Sequence, residues 1–236
     1  MKKAVCFDFY RTLVDISTDE DDPRVYATLS RYLSYHSVVI APEELRKAYF
    51  EGVQQHLNQS TAKYPEIDVF DIFSNIMHKY GNKRYSNSIV IDTALLFRSL
   101  TVRHFEVFER LFDVLGFVNK EYETGVISDA QWIFAEPEMA MLGLNQFFKI
   151  TILSSRFGFR KPDMRLFSLA MKKLGVGPKE SVYVGDNPST DLVGAKMAGM
   201  KFVLFGSECK SYNGFQPDRC FHDYSELVNI LEGIWK

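Results

Sequence analysis

The chain has 236 residues, 46% hydrophobic and 25% charged, with 28 basic against 30 acidic side chains and a formal charge of −2. That composition belongs to a globular protein with room for one large domain or two modest ones, and it excludes a disordered chain. The near-neutral balance offers no basic surface to nucleic acid or an anionic membrane, and no stretch is long and apolar enough to span a bilayer.

The three cysteines, Cys6, Cys209 and Cys220, lack metal-ligand spacing. With an N-terminus too poor in apolar residues for a signal peptide, reduced thiols and a cytoplasmic setting are expected. The first element is the apolar run Ala4-Val5-Cys6-Phe7, of a length that suits a strand buried on both faces. It ends in a carboxylate, Asp8, with Tyr10 and Thr12 close behind. A carboxylate is costly to desolvate. Either Asp8 caps a turn, or the strand opens into a site at its carboxyl end, where open α/β sheets bind ligands.

From Asp15 to about Tyr85 the pattern is helical. Asp22-Pro23 starts a helix carrying Val25, Leu29, Tyr32 and Leu33, and Pro42-Glu43-Glu44 starts a second with Leu45, Tyr49, Val53 and Leu57. A third runs from about Glu66 to Gly81, and a fourth from about Ser88 through Leu100. These four are expected to form a small bundle over residues 16–99, inserted between 1–15 and 100–236. Tyr26, Arg31, Arg46, Tyr49 and His56 within it face either a site or water.

The second half alternates. A helix is expected from about His104 to Leu115, then a strand at Thr124–Ile127 ending in Ser128-Asp129, a helix through Trp132–Leu142, and a strand at Phe148–Leu153. A helix follows over Pro162–Leu174, then a strand at Ser181–Val184 ending in Gly185-Asp186, a helix over Ser189–Ala198, a strand at Phe202–Phe205 and a last helix near Tyr224–Ile234. Strands alternating with helices of this length imply right-handed crossovers and an α/β fold built on a parallel sheet of about five strands. In such a sheet the carboxyl ends share one edge. Asp8, Ser128, Lys161 and Asp186 are all delivered there. Ser128 alone also suits a helix N-cap, and Lys161 alone a solvated charge, but four such residues at equivalent strand ends favour a site.

Those residues resemble the motifs of the haloacid dehalogenase-like superfamily of hydrolases. Asp8-x-Tyr10-x-Thr12 is similar to its first motif, Ser128 to the second, Lys161-Pro162 to the third, and Gly185-Asp186-Asn187 with Asp191 to the fourth. The resemblance covers nearly the whole chain and implies a Rossmann-like core with a mobile helical cap between motifs one and two. It also implies Asp8 as nucleophile. On a phosphoryl group, repulsion between anions calls for cations: Lys161, and a hard Mg²⁺ held by Asp8, Asp186 and, by the family's pattern, the main-chain carbonyl of Tyr10. Ser128 and nearby N–H groups would hold the transferring oxygens. Asn187 and Asp191 would stand behind the metal; Asp191 equally suits orienting Lys161, or acting as a first-turn helix acid.

The chain also departs from the family's patterns. Its phosphatases carry a second aspartate two residues after the nucleophile as general acid and base, a contribution of about 10² to 10⁴ in rate; here that residue is Tyr10. Tyrosine there resembles the metal-free branch that displaces halide from 2-haloacids through an ester on the aspartate. Yet Arg11, Asp129 and Gly185-Asp186-Asn187 depart from that branch, and Asp186 keeps an acid it would not need. Arg11, Thr12 and Asp129 are candidate substrate contacts, Arg11 equally a solvated side chain. The expected function is a Mg²⁺-dependent phosphatase of a small phosphorylated metabolite. A 2-haloacid dehalogenase and a catalytically impaired phospho-ligand binder are the alternatives.

Overall fold

The four apolar residues of β1 (Ala4–Phe7) are fully buried, and they lie at the middle of the sheet in the computed structural model, which describes residues 2–235. The chain then leaves the sheet through β2 (Val14–Thr18) into four helices: α1 (Pro23–Tyr35), α2 (Pro42–Gln59), α3 (Val69–Tyr80) and α4 (Asn87–Thr101). It returns through β3 (Val102–Val107), α5 (Leu111–Glu121), β4 (Glu123–Ser128), α6 (Trp132–Met141) and β5 (Ile150–Leu153). The remainder is α7 (Met164–Leu174), β6 (Ser181–Gly185), α8 (Val193–Met197), β7 (Lys201–Phe205), β8 (Arg219–Phe221) and α9 (Leu227–Ile234).

The main sheet has six strands in the order β5-β4-β1-β6-β7-β8, each neighbouring pair parallel. Strand order therefore reverses at β1, the place where α/β sheets open a crevice. Alternation along the strands feeds two cores. Val5, Phe7, Val126 and Val184 pack with α5 and α9, while Ala4, Cys6, Ile127 and Tyr183 pack with α7 and α8. A third core fills the helical bundle, where Tyr26, Tyr49, Phe73 and Phe97 meet Ile133 and Phe134 of α6. Each such aromatic contributes roughly 1.5–3 kcal/mol by leaving water.

Several expectations change. The stretch expected as a helix over His104–Leu115 holds β3, which pairs antiparallel with β2; the helix begins only at Leu111, after Arg110 in a left-handed conformation. Only the second part of β3, H-F-E-V, alternates with period two, a strand signal that its partner Val14–Thr18 completes. β8 is a sixth strand of three residues, too short to announce itself. Helix α3 starts at Val69, because the Asp68 side chain caps it and Glu66 turns elsewhere. The helix expected over Ser189–Ala198 begins as a wide turn, in which Asn187 accepts from the N–H groups of both Asp191 and Leu192. Cys209 and Cys220 form a disulfide with Cα atoms 5.7 Å apart, contrary to the expected reduced thiols. β8 pairs parallel with β7, with Cys220 level with Leu204, and the chain leaving β7 brings Cys209 to it. Among the described residues, no helix is long and apolar enough to cross a membrane.

Candidate active site

Register sets the site. Phe7 pairs with Val126 on one side and Val184 on the other, so Asp8 stands level with the ends of β4 and β6. Its N–H donates to Val184 O at 2.9 Å, and its own Oδ1 accepts from Phe9 N–H at 2.8 Å. Ser128 ends β4 and is buried at 1% exposure; the cap position of α6 belongs to Gln131, so Ser128 is not an N-cap.

Lys161 is no surface charge: 2% exposed, it lies with Nζ 3.0 Å from Asp8 Oδ2 and 2.6 Å from Asp191 Oδ1. It also donates to the Tyr183 hydroxyl at 3.0 Å, which donates onward to Ile127 O at 2.6 Å. The Asp129 carboxylate accepts from the Lys161 main-chain N–H at 2.8 Å, fixing the loop that delivers the ammonium. Burial alone would lower the Lys161 pKa; the charges of Asp191, Asp8 and Asp129 outweigh it and hold the ammonium protonated well above its ordinary range.

Asp191 lies in the first turn after Asn187, as a first-turn acid would, but it is wholly buried and holds Lys161. Its Oδ2 accepts from Asn187 N–H at 3.0 Å, and a Cβ on Gly185 would overlap its carboxyl, so a glycine is needed where β6 ends. Asp186 accepts from Thr12 Oγ1 at 3.2 Å and lies 3.6 Å from Arg11 Nε. Arg11 itself adopts a left-handed backbone (φ 64°) and is exposed. The Asn187 side chain faces away, accepting from Ser189 N–H and Oγ.

Oxygen atoms of Asp8, Asp186 and Asp191 all lie within 4.8 Å of one another. Burial raises the carboxyl pKa of Asp186 and of Asp191, against the pull of Lys161 in both cases, and it pushes Asp129 up to about 6. Three hard oxygen donors so placed suit a hard cation such as Mg²⁺, which binds through one or two carboxylates with waters completing its shell.

Tyr10 is held elsewhere. Its hydroxyl donates to Glu138 Oε2 at 2.6 Å, and Glu138 in turn takes Arg98 Nε at 2.6 Å and Nη2 at 3.2 Å. Burial lifts the phenol pKa well above its ordinary value, so Tyr10 stays protonated with its proton given to Glu138. Between bundle and core lies a cavity of about 330 Å³, lined among others by Tyr10, Tyr49, Arg98 and Asp129. Grooves of about 390 and 600 Å³ lie along α2 and include none of the expected transfer residues. Of the bundle residues left open by sequence, Tyr49 reaches this cavity. Tyr26 donates its hydroxyl to Glu20 O, Arg46 pairs with Asp21, Arg31 is exposed, and His56 faces the outer groove.

Sequence reasoning missed Arg98, Glu138 and Tyr183. The first two sit on helices, where a charge reads as a solvated face. Tyr183, inside the apolar run S-V-Y-V-G, carried a signal: a buried phenol needs a hydrogen-bond partner.

A glyceraldehyde 3-phosphate phosphatase of Methanothermobacter thermautotrophicus is 38% identical over 90 residues, 38% of this chain and 40% of that protein. A phosphoserine phosphatase of Thermus thermophilus is 44% identical over 61 residues, 26% of this chain and 24% of that protein. The chain thus matches less than half the length of either relative. A crystal structure of 2-haloacid dehalogenase from Pseudomonas syringae pv. Tomato DC3000 shares the fold, with TM-score 0.71 and 23% identity over 98% of this chain and 99% of that one. The family model of haloacid dehalogenase-like hydrolases matches residues 5–205, from β1 through β7. By that match, and by the four motifs now placed at one sheet edge, the chain belongs to the haloacid dehalogenase-like hydrolases.

Proposed function

We propose that the protein is a Mg²⁺-dependent phosphatase of small phosphorylated metabolites, working through an aspartyl-phosphate on Asp8, with the α1–α4 bundle (residues 16–99) as a lid over the core (1–15 and 100–236). One observation carries this reading. Three carboxylates converge within 4.8 Å, and Lys161, buried, and Arg11, exposed at the rim, are the cations against them, so the centre still has charge left for a divalent cation to neutralise. Asp8, Asp186 and the main-chain carbonyl of Tyr10 are the residues to hold it, with Asp191 behind and Asn187 supporting Asp191 through its main-chain N–H. Bound there, Mg²⁺ would offset charge on the phosphoryl oxygens.

The chain's own groups do the rest. Asp8 attacks phosphorus and carries the phosphoryl group until water releases it. Lys161 and Ser128 hold the non-bridging oxygens, and Asp129 positions Lys161 through its main-chain N–H. Thr12 steadies Asp186, and Arg11 is poised at the mouth.

The relatives named as phosphatases support the reaction class. Tyr10 favours a second reading, the dehalogenase, in which Asp8 forms an ester by displacing halide and no leaving-group proton is required. One assay separates them. An aryl phosphate such as p-nitrophenyl phosphate is expected to be hydrolysed with Mg²⁺, and to survive in EDTA or with Asp8→Asn. Halide released from 2-haloacids in EDTA, with no phosphate released in Mg²⁺, would favour the dehalogenase instead.

A further inference from the structure

The polar groups lining the cavity between bundle and core answer one another. The Glu20 carboxylate takes the Tyr49 hydroxyl at 3.2 Å, and Glu66 takes Ser154 Oγ at 2.7 Å and the Ile67 N–H at 2.9 Å. Asp129 takes the Lys161 main-chain N–H at 2.8 Å, and Arg98 gives both Nε and Nη2 to Glu138. Gln131 is used at both ends: Oε1 accepts from the Val69 N–H at 2.8 Å, and Nε2 donates to Ile67 O at 3.0 Å. Arg160, the other charged residue of the wall, is exposed. A polar leaving group entering here would shed its water and find these partners taken.

What the wall leaves unmatched is apolar: Tyr49, Phe50, Val53, Ile67, Val69 and Phe134. Phe50 stands edge-on to Tyr49, ring centroids 5.3 Å apart, a geometry that a further ring can extend. An apolar cavity of about 150 Å³ takes benzene. At about 330 Å³ this one has room for a substituted ring. Tyr10 and Asp129 also line it, so the cavity opens beside Asp8 and Ser128.

The chemistry of the site makes the same demand. Tyr10 gives its one proton to Glu138 at 2.6 Å and offers none to a departing oxygen. An alkoxide needs a proton as the P–O bond breaks. A phenolate, whose conjugate acid has a pKa of about 10, departs without one.

Resting on the phosphatase reading, we infer that the substrate class is the phosphate monoester of a phenol, its ring lying in this cavity and its ester oxygen leaving as phenolate. As Asp8 bonds to phosphorus, the aryl P–O bond breaks with its electron pair on the phenolate oxygen. Water then attacks phosphorus, the Asp8–phosphoryl bond breaks with its pair returning to the carboxylate, and phosphate departs. The water's surplus proton goes to solvent, from which the phenolate takes one.

The test compares kcat/KM, with Mg²⁺ present, for phenyl phosphate, cyclohexyl phosphate and acetyl phosphate. Cyclohexyl phosphate matches the ring in size and apolarity but leaves as an alkoxide. Phenyl phosphate is expected to exceed it about a hundredfold or more, since no general acid is there to close the gap. Acetyl phosphate needs no leaving-group proton and brings no ring. Val53→Ser, which removes apolar surface from the wall, is expected to shrink the ratio of phenyl to acetyl phosphate about tenfold. That ratio is internal to each protein and insensitive to partial loss of folded protein. Comparable turnover of cyclohexyl and phenyl phosphate would overturn the phenolate assignment, and an unmoved ratio in Val53→Ser would overturn the placing of the ring. Either result, with phosphate still released in Mg²⁺, leaves the phosphatase reading intact; no phosphate from any of the three would overturn both.

Discussion

Lys161 sits between two buried carboxylates, Asp8 and Asp191, at 3.0 and 2.6 Å. Lys161→Met keeps the side chain's length and apolar stem while removing the charge that offsets them. Leaving buried charge uncompensated costs about 3–5 kcal/mol, so chemical denaturation without added metal should show a loss of that order. An unchanged midpoint would mean that the pair adds nothing to the fold. At this scale the sequence was informative where a polar residue ended an apolar run, as at Asp8, Ser128 and Asp186. It was silent where a charge sat on a helix, as at Glu138 and Arg98, because helical periodicity says which face is polar and not that a polar residue is buried in a network. Tyr10 falls between these cases: its position was legible, its engagement with Glu138 was not, since 128 residues separate the two.

Among the elements, the β2–β3 ribbon joins bundle to core, and Asp22 secures it. The Asp22 side chain caps α1 through Arg24 N–H at 2.9 Å and takes the Arg24 guanidinium at 2.8 Å and that of Arg103, from β3, at 2.6 Å. Hydrogen bonds from Arg24, side chain then backbone, hold its carboxyl down to about 2. A carboxyl lowered on folding contributes stability that is complete above its unfolded value of about 3.9 and is lost as pH falls through the folded one. The denaturation midpoint of Asp22→Asn should therefore fall less steeply than wild type between about pH 4 and pH 2. Parallel profiles would remove Asp22 from the account. Helix starts such as Asp22-Pro23 were legible because capping chemistry is local. β3 was not, because its pairing lies some 90 residues away, with Val14 opposite Val107. β8 escaped notice because three residues carry almost no periodicity.

For the whole molecule, the reversal of strand order at β1 gathers Asp8, Ser128, Lys161 and Asp186 at one edge, and the bundle covers the cavity beside them. That convergence was legible from the alternation of strands and helices alone. The cavity's lining was not, because which face of each bundle helix points inward depends on packing. A cation that binds only the folded site stabilises the whole chain, by about 2.7 kcal/mol at a hundred times its Kd. For a chain of this length that corresponds to roughly 5–10 °C in Tm. Mg²⁺ should raise Tm by that much, EDTA should reverse it, and Asp186→Asn should abolish it; an equal rise in the variant would place the cation elsewhere.

The covalent step admits a direct reading. Turnover of p-nitrophenyl phosphate with Mg²⁺, quenched in acid and followed by peptide mass spectrometry, should find one phosphoryl group on the peptide carrying Asp8, lost on treatment with hydroxylamine as an acyl phosphate is. Rapid phosphate release with Asp8 unmodified at every quench time, or the label on another residue, would contradict the account.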